Sequence, residues 1–117
     1  KTKSFLIKHP TKHGKKLQYG SLESPYHGIR LTGESKLIHG ESRVDLPDYI
    51  HALCKDVDYN IQLTNIKHGK ILWVEDVNIN ENYFIVKSEF TDKEYKFFWS
   101  LTAIRKDIDS LQVEVDA

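Results

Sequence analysis

The sequence has a single cysteine, Cys54, no long apolar run and no excess of either charge. One cysteine cannot form a disulfide within the chain, and such low usage is consistent with a cytosolic origin. No apolar run approaches the roughly 18 residues that a membrane-spanning helix needs. Basic and acidic residues both number 17. This zero net charge argues against a nucleic-acid-binding module, which would normally be basic.

The length and composition predict one folded domain over residues 1–117. A chain of 117 residues can bury one hydrophobic core but not two. Hydrophobic residues make up 39% of the chain and charged residues 29%, which argues against disorder. The chain begins at Lys1 with no signal peptide after it, and we expect it to be a domain excised from a longer protein.

The charges are balanced overall but are separated along the chain. Residues 1–17 contain no acid and six lysines, which are Lys1, Lys3, Lys8, Lys12, Lys15 and Lys16. The other hundred residues carry 11 cations and 17 anions, so their net charge is 11 − 17 = −6. This basic segment could bind phosphate or an acidic neighbour. Alternatively, it is a solvated segment that folds back on its own acidic body, which the lack of aromatics among residues 12–16 favours.

Alternating apolar and polar residues predict a chain made mostly of strands. Clear alternation occurs around Ile29, Ile61 and Leu111, and over residues 95–103 the apolar residues share one face. Residues 71–86 predict a hairpin that turns at residues 78–82, with residues 71–74 central in a sheet. Short strands are also predicted at residues 5–7, 37–38 and 44–46, and residues 111–115 predict a last strand that closes the chain.

One helix is predicted, from about residue 47 to 55. Pro47 suits the first helical position, because the N–H group there has no helical partner. Ile50 and Leu53 lie three residues apart on one face, beside Cys54, which we expect to be a buried thiol. Eight to ten short strands and one small helix predict an all-β protein, an antiparallel β-sandwich or flattened barrel.

The sequence shows no convincing catalytic or metal-binding pattern. Six histidines are scattered among loops, without paired cysteines or a His-Glu-x-x-His motif, so we expect no metal and no cofactor. Ser21, Glu23 and His27 can be written as a triad, but such sets are common by chance. Adjacent carboxylates at residues 75 and 76 point to opposite faces of a strand. Four aromatics could form a sugar-binding floor but are more often core residues: Tyr95, Phe97, Trp99 and Trp73.

Four stretches of the chain resemble a segment found in structural proteins of tailed-phage virions. Residues 3–10 match a K-x-F-x-I-x-H-P opening, and residues 19–25 match a Y-x-S-L-E-x-P turn. Residues 46–49 match an L-P-x-Y motif, and residues 97–107 match a late aromatic strand that ends in R-K-D. The segment is typical of tail-fibre and appendage proteins, often just before a C-terminal intramolecular chaperone.

This resemblance implies a non-enzymatic structural or assembly module of a bacteriophage virion, part of a tail fibre or related appendage. It implies a homotrimer that contacts other virion proteins, is assembled in the host cytoplasm and is located in the virion. The alternative is a module that binds carbohydrate or a host receptor, such as a host-surface glycan. We expect no nucleic-acid partner and no membrane insertion. Expected subunit or ligand contacts are Lys12, Lys15, Lys16, Tyr19, Glu23, Tyr26 and His27.

Overall fold

A computed structural model of the protein describes residues 4–117, with side chains from Phe5 onward. Lys1 and Lys3 of the basic segment lie outside the described residues. Residues 4–117 form eight strands, a short α-helix and one turn of 3-10 helix. The strands are β1 (Ser4–Lys8), β2 (Lys16–Gly20), β3 (Gly28–Leu37), β4 (Glu41–Asp45), β5 (Asn60–Asn65), β6 (Leu72–Asn78), β7 (Tyr83–Ser88) and β8 (Tyr95–Ile104). The helix α1 is Ile50–Leu53 and the 3-10 turn is Ile79–Glu81.

The strands form three antiparallel sheets, of which none closes into a barrel. β1 pairs with β2 in a separate hairpin. A second sheet has the order β3-β8-β5, and a third has the order β4-β7-β6. The short turn between β3 and β4, closed by hydrogen bonds between Ile38 and Glu41, carries the chain from the second sheet to the third. The prediction of an all-β sandwich with one short helix is confirmed.

The core lies between the two three-stranded sheets, and β8 contributes most regularly to it. Phe97, Leu101 and Ala103 alternate along β8 and are fully buried. Phe84 and Val86 enter from β7, and Leu17 from β2 completes one side. Trp99, Ile61 and Leu63 are only partly buried and pack against this core. The period of two along β8 therefore predicted the inward face correctly.

The β6–β7 hairpin is present, and asparagine side chains determine its turn. Asn78 Oδ1 accepts a hydrogen bond from the Glu81 N–H (3.0 Å), and Asn82 adopts the left-handed conformation with φ 62°. Asn82 Oδ1 also accepts a hydrogen bond from the His51 N–H (2.7 Å) at the start of α1. The predicted asparagine-rich turn is correct, and it also connects the hairpin to the helix.

Two predicted strands require correction because of the sheet order. Residues 71–74 are not central, since β6 is an edge strand and Ile71 and Trp73 are exposed; β7 is the central strand. Residues 111–115 do not form a strand. β8 already has β3 and β5 on its two sides, and the residues that follow β8 pair with none of the open strand edges of the described chain. In addition, residues 37–38 are not a separate strand, since Leu37 is the last residue of β3.

The helix is shorter than predicted. It spans Ile50–Leu53 rather than about 47–55, and Pro47 lies before it, where its carbonyl accepts a hydrogen bond from the Ile50 N–H (3.2 Å). Cys54 ends the helix in an extended conformation and forms an antiparallel bridge with Arg105. Ile50, Leu53 and Cys54 are buried as predicted, so packing determines the placement of this single turn.

Candidate functional site

A groove lies beside the loop between β2 and β3. It consists of two adjoining cavities of about 870 Å³ and 600 Å³, and Tyr26, His27 and Arg105 line both. Part of the C-terminal segment, which we define as residues 106–117, also lines the larger cavity. Concave surfaces of this size are where small ligands and peptides usually bind.

Tyr26 is presented to the groove by a tight local turn. Ser24 Oγ accepts a hydrogen bond from the Tyr26 N–H (3.2 Å) and donates one to the Tyr26 carbonyl (3.0 Å). The Tyr26 side chain is 63% exposed although it is a large aromatic. The turn thus holds an aromatic ring at the solvent boundary, where it is available for contact.

The opposite wall of the groove carries polar groups and a second tyrosine. Lys55, Asp58, Tyr59 and Asn60 line the larger cavity there. Asp58 has a left-handed backbone conformation with φ 59°, in the turn that leads into β5. Two tyrosines with a carboxylate and an amide nearby could stack on and hydrogen-bond to a polar ligand such as a sugar.

Arg105 fixes the end of the groove where the C-terminal segment begins. Its side chain is buried, and its guanidinium donates two hydrogen bonds to Asp107, from Nε to Oδ1 (2.9 Å) and from Nη2 to Oδ2 (2.6 Å). The guanidinium also lies 3.9 Å from the centre of the Phe5 ring. This bidentate pairing with Arg105 lowers the pKa of Asp107 below its usual value. The pair anchors the chain as it leaves β8.

Tyr19 and His9 have structural roles close to the groove. The hydroxyls of Tyr19 and Tyr49 are 2.6 Å apart and share a hydrogen bond, and burial raises the pKa of Tyr19 above its ordinary value. His9 is buried, and its Nδ1 accepts hydrogen bonds from the N–H groups of Thr11 (3.1 Å) and Lys12 (2.9 Å). These contacts hold the β1–β2 loop against the ring of Tyr49.

The structure divides the predicted contact residues into two groups and leaves Glu23 outside both. Tyr19, Tyr26 and His27 line the groove. Lys12, Lys15 and Lys16 are exposed on the β1–β2 hairpin, where Lys12 forms a long ion pair with Asp48 (3.8 Å). Glu23 is exposed and lines neither cavity. Whether these residues contact a subunit or a ligand stays a prediction.

Neither the chance set of Ser21, Glu23 and His27 nor the alternative aromatic floor is assembled. No side-chain hydrogen bond of the described residues joins Ser21, Glu23 and His27. The four aromatics do not form one floor either. Phe97 is buried, Trp99 packs edge-on against Phe84 (ring centres 5.5 Å apart), and Trp73 lies on the outer face of the other sheet. The carboxylates at residues 75 and 76 are both exposed, because β6 has a bulge between Val74 and Asp76.

The part of the chain that the structure describes contains neither a cluster of metal-ligating side chains nor a membrane-spanning helix. Within residues 4–117, no three side chains of histidine, cysteine, aspartate or glutamate come close enough together to coordinate a metal ion. Over the same range, no helix has the length and apolar character required to cross a membrane.

Sequence reasoning missed the opposite wall of the groove and the pairing of Arg105 with Asp107. The spacing of two between Arg105 and Asp107, just after a strand, was the available signal, because side chains at i and i+2 lie on one side of an extended chain. Nothing in the sequence of residues 55–60 indicates that they line a groove, since only the folded chain brings them into the same cavity as Tyr26. Comparisons of the chain with protein-family models, curated proteins and solved structures give no match.

Proposed function

We propose that the protein is a non-enzymatic structural module of a bacteriophage virion, in a tail fibre or related appendage, where identical copies assemble around one another. The sequence resemblance at residues 3–10, 19–25, 46–49 and 97–107 supports the virion role. The fold is consistent with it, because antiparallel sheets with short turns form compact modules that can be arranged side by side.

The observation that carries the assembly role is the number of unpaired strand edges. In the described chain only β7 and β8 have a neighbouring strand on both sides. The other six strands each leave one edge without a backbone partner. Exposed strand edges promote association, and natural proteins cover or protect them. Copies of the same chain around a symmetry axis would cover them, and the resemblance suggests a threefold axis.

Labelling of purified virus particles tests the virion role. Antibodies raised against the chain should bind intact particles from an infected culture, and electron microscopy should locate the label on the tail or its appendages. Antibodies against a major capsid protein of the same particles serve as the control for access and particle integrity. Absence of the chain from purified particles, by labelling and by mass spectrometry, would contradict the virion role.

A second candidate function is binding of a host-surface glycan in the groove. The observation that favours it is the pair of tyrosines, Tyr26 and Tyr59, which line one cavity together with Asp58 and Asn60. Binding to a glycan array, lost in Tyr26→Ala and retained in Tyr83→Ala on the outer face of the β4-β7-β6 sheet, would support this function. Equal glycan binding by both variants would place the glycan elsewhere.

A further inference from the structure

The C-terminal segment has the pattern of a strand but no strand partner. Leu111, Val113 and Val115 alternate with polar residues, so an extended backbone would place all three on one face. Their side chains are 40%, 64% and 71% exposed. A segment with one apolar face and an unpaired backbone is suited to addition at the edge of a sheet.

The same segment is acidic. Residues 108–117 contain Asp109, Glu114 and Asp116 and no basic residue, so their net charge is −3. None of these three carboxylates forms an ion pair among the described residues. A partner edge with the opposite charge would therefore be favoured over a neutral or acidic one.

The hairpin of β1 and β2 offers such an edge. This basic hairpin, residues 4–20, contains four lysines and no acid. Lys8 and Lys16 are direct cross-strand partners, and like charges in this position repel each other. Over residues 4–117, no carboxylate lies within 4.0 Å of Lys8, Lys15 or Lys16. Ile7 and Leu17 are also direct cross-strand partners, and they give the other face of the hairpin an apolar character.

The other open edges do not match the segment as well. β5 carries no charged residue, and β6 adds the two carboxylates of Glu75 and Asp76. β3 and β4 both mix acidic and basic side chains. The basic hairpin is also a separate two-stranded sheet, so both of its edges lack a strand partner within the described chain.

Within one chain, the segment does not follow its own hairpin. Ile108 still lines the smaller cavity with Phe5 and Tyr19. Ser110, Leu111 and Val113 line the larger cavity, which no residue of the hairpin lines. The segment therefore runs toward Tyr26 and Tyr59, and the hairpin that it can reach in extended form is that of a neighbour.

We propose that the C-terminal segment of one copy adds as a strand to an edge of the basic hairpin of a second copy. Its backbone pairs with the open edge of β2. Its apolar face lies on the side of the hairpin that carries Ile7 and Leu17, and Glu114 and Asp116 lie on the other side, near Lys8 and Lys16. This inference rests on the proposed assembly role and specifies the contact by which the copies associate. Its partner is a second copy of this chain.

Disulfide crosslinking between two differently tagged copies tests this contact. One copy carries Gln18→Cys in β2, on the same face as Lys8 and Lys16, and the other carries Ser110→Cys or Gln112→Cys, on the same face as Glu114 and Asp116. The native Cys54 is buried and serves as an unreactive background, which a mixture of tagged wild-type chains checks. The matched control replaces Gln18→Cys with Thr64→Cys, which is exposed on the uncharged edge strand β5.

After mild oxidation we expect a mixed disulfide dimer from the Gln18→Cys pairings and about tenfold less from the Thr64→Cys pairings. Reversing the hairpin charges with Lys8→Glu and Lys16→Glu should reduce the mixed product by about tenfold, as expected for two exposed ion pairs. Adding Glu114→Lys and Asp116→Lys to the other copy should restore it. A merely structural role of these lysines would not be rescued by changes in another copy.

Equal crosslinking at β2 and β5, or a charge reversal without rescue, would overturn the strand addition. A variant that carries both Gln18→Cys and Gln112→Cys and forms its disulfide only within single chains would also overturn it. Particle labelling is independent of this result. A chain that is present in virions but gives no mixed disulfide would keep the structural role and lose this contact.

Discussion

The indole ring of Trp99 lies across Gly33, its direct cross-strand partner on β3. A Cβ atom at residue 33 would lie 2.6 Å from Trp99 Cζ2, well inside van der Waals contact. The ring cannot easily move away, because its other side packs edge-on against the buried Phe84. The absence of a side chain at Gly33 thus leaves room for the indole ring over β3.

Gly33→Ala should therefore destabilise the protein by about 1–3 kcal/mol, the usual range for inserting a group into a packed core. Gly20→Ala is the matched control, since Gly20 also lies in a strand and a Cβ there would have no atom within 4 Å. The control should change stability by about 0.5 kcal/mol or less. Urea unfolding of both variants measures the difference, and equal effects would contradict the close packing of Trp99 on Gly33.

Neighbouring aromatics on β8 test the assignment of the inner face. Phe97 is fully buried and Phe98 is 49% exposed on the opposite face. Phe97→Ala should lower the free energy of unfolding by roughly 3–5 kcal/mol, as is usual for a buried aromatic. Phe98→Ala should cost less than about 1 kcal/mol. Thermal or urea unfolding gives both values, and a reversed order would contradict the register of β8.

Much of this inner face could be predicted from the sequence, because alternation over ten residues has few explanations. The strand predicted at residues 111–115 shows where such reasoning ends. Its alternation is as regular as that of β8, but alternation alone does not determine pairing, and residues 111–115 pair with none of the open strand edges of the described chain. Likewise, Tyr26 was identified as a contact, whereas Tyr59 was not, because 33 residues separate positions that meet only across the groove.

The thiol of Cys54 should react slowly in the folded protein. Burial raises its pKa to about 12, so almost none of the reactive thiolate is present at neutral pH. Reaction with a thiol reagent should be fast in denaturant and slow without it. Equal rates in the two conditions would show that residues 50–54 do not face the core.

The same raised pKa predicts a loss of stability at alkaline pH. The unfolded thiol releases its proton near its ordinary value of 9.0 while the folded thiol keeps it. The contribution of the buried Cys54 thiol to the free energy of unfolding is therefore complete below pH 9 and is lost as the pH rises toward 12. Between pH 8 and 10 the loss should be about 1.4 kcal/mol. Cys54→Ala should show a smaller loss over this interval, and identical pH profiles would contradict the burial of the thiol.

Asp107 should stabilise the protein far more than Asp109, although both are aspartates in the same segment. Asp107→Asn leaves the buried guanidinium of Arg105 without its charged partner and should cost about 2–4 kcal/mol. The exposed Asp109→Asn is the control and should cost about 0.5 kcal/mol or less.

The pairing of Asp107 with Arg105 also predicts that the stability of the protein decreases as the pH falls through the acid range. Because the folded pKa of Asp107 is lowered, its contribution is present above the ordinary carboxyl pKa and is lost as the pH falls. The difference between wild type and Asp107→Asn should shrink between about pH 5 and pH 2. A difference that stays constant with pH would show that the charge of Asp107 does not stabilise Arg105.

The most direct test of the assembly role is sedimentation velocity of the chain, together with any sequence that flanks it in its gene. We predict a homo-oligomer of three copies at low salt. Salt should weaken the part of the contact that depends on lysines, since exposed charges are screened beyond about 8–10 Å at physiological ionic strength. A monomer at every salt and protein concentration would contradict the account and favour a free glycan-binding module.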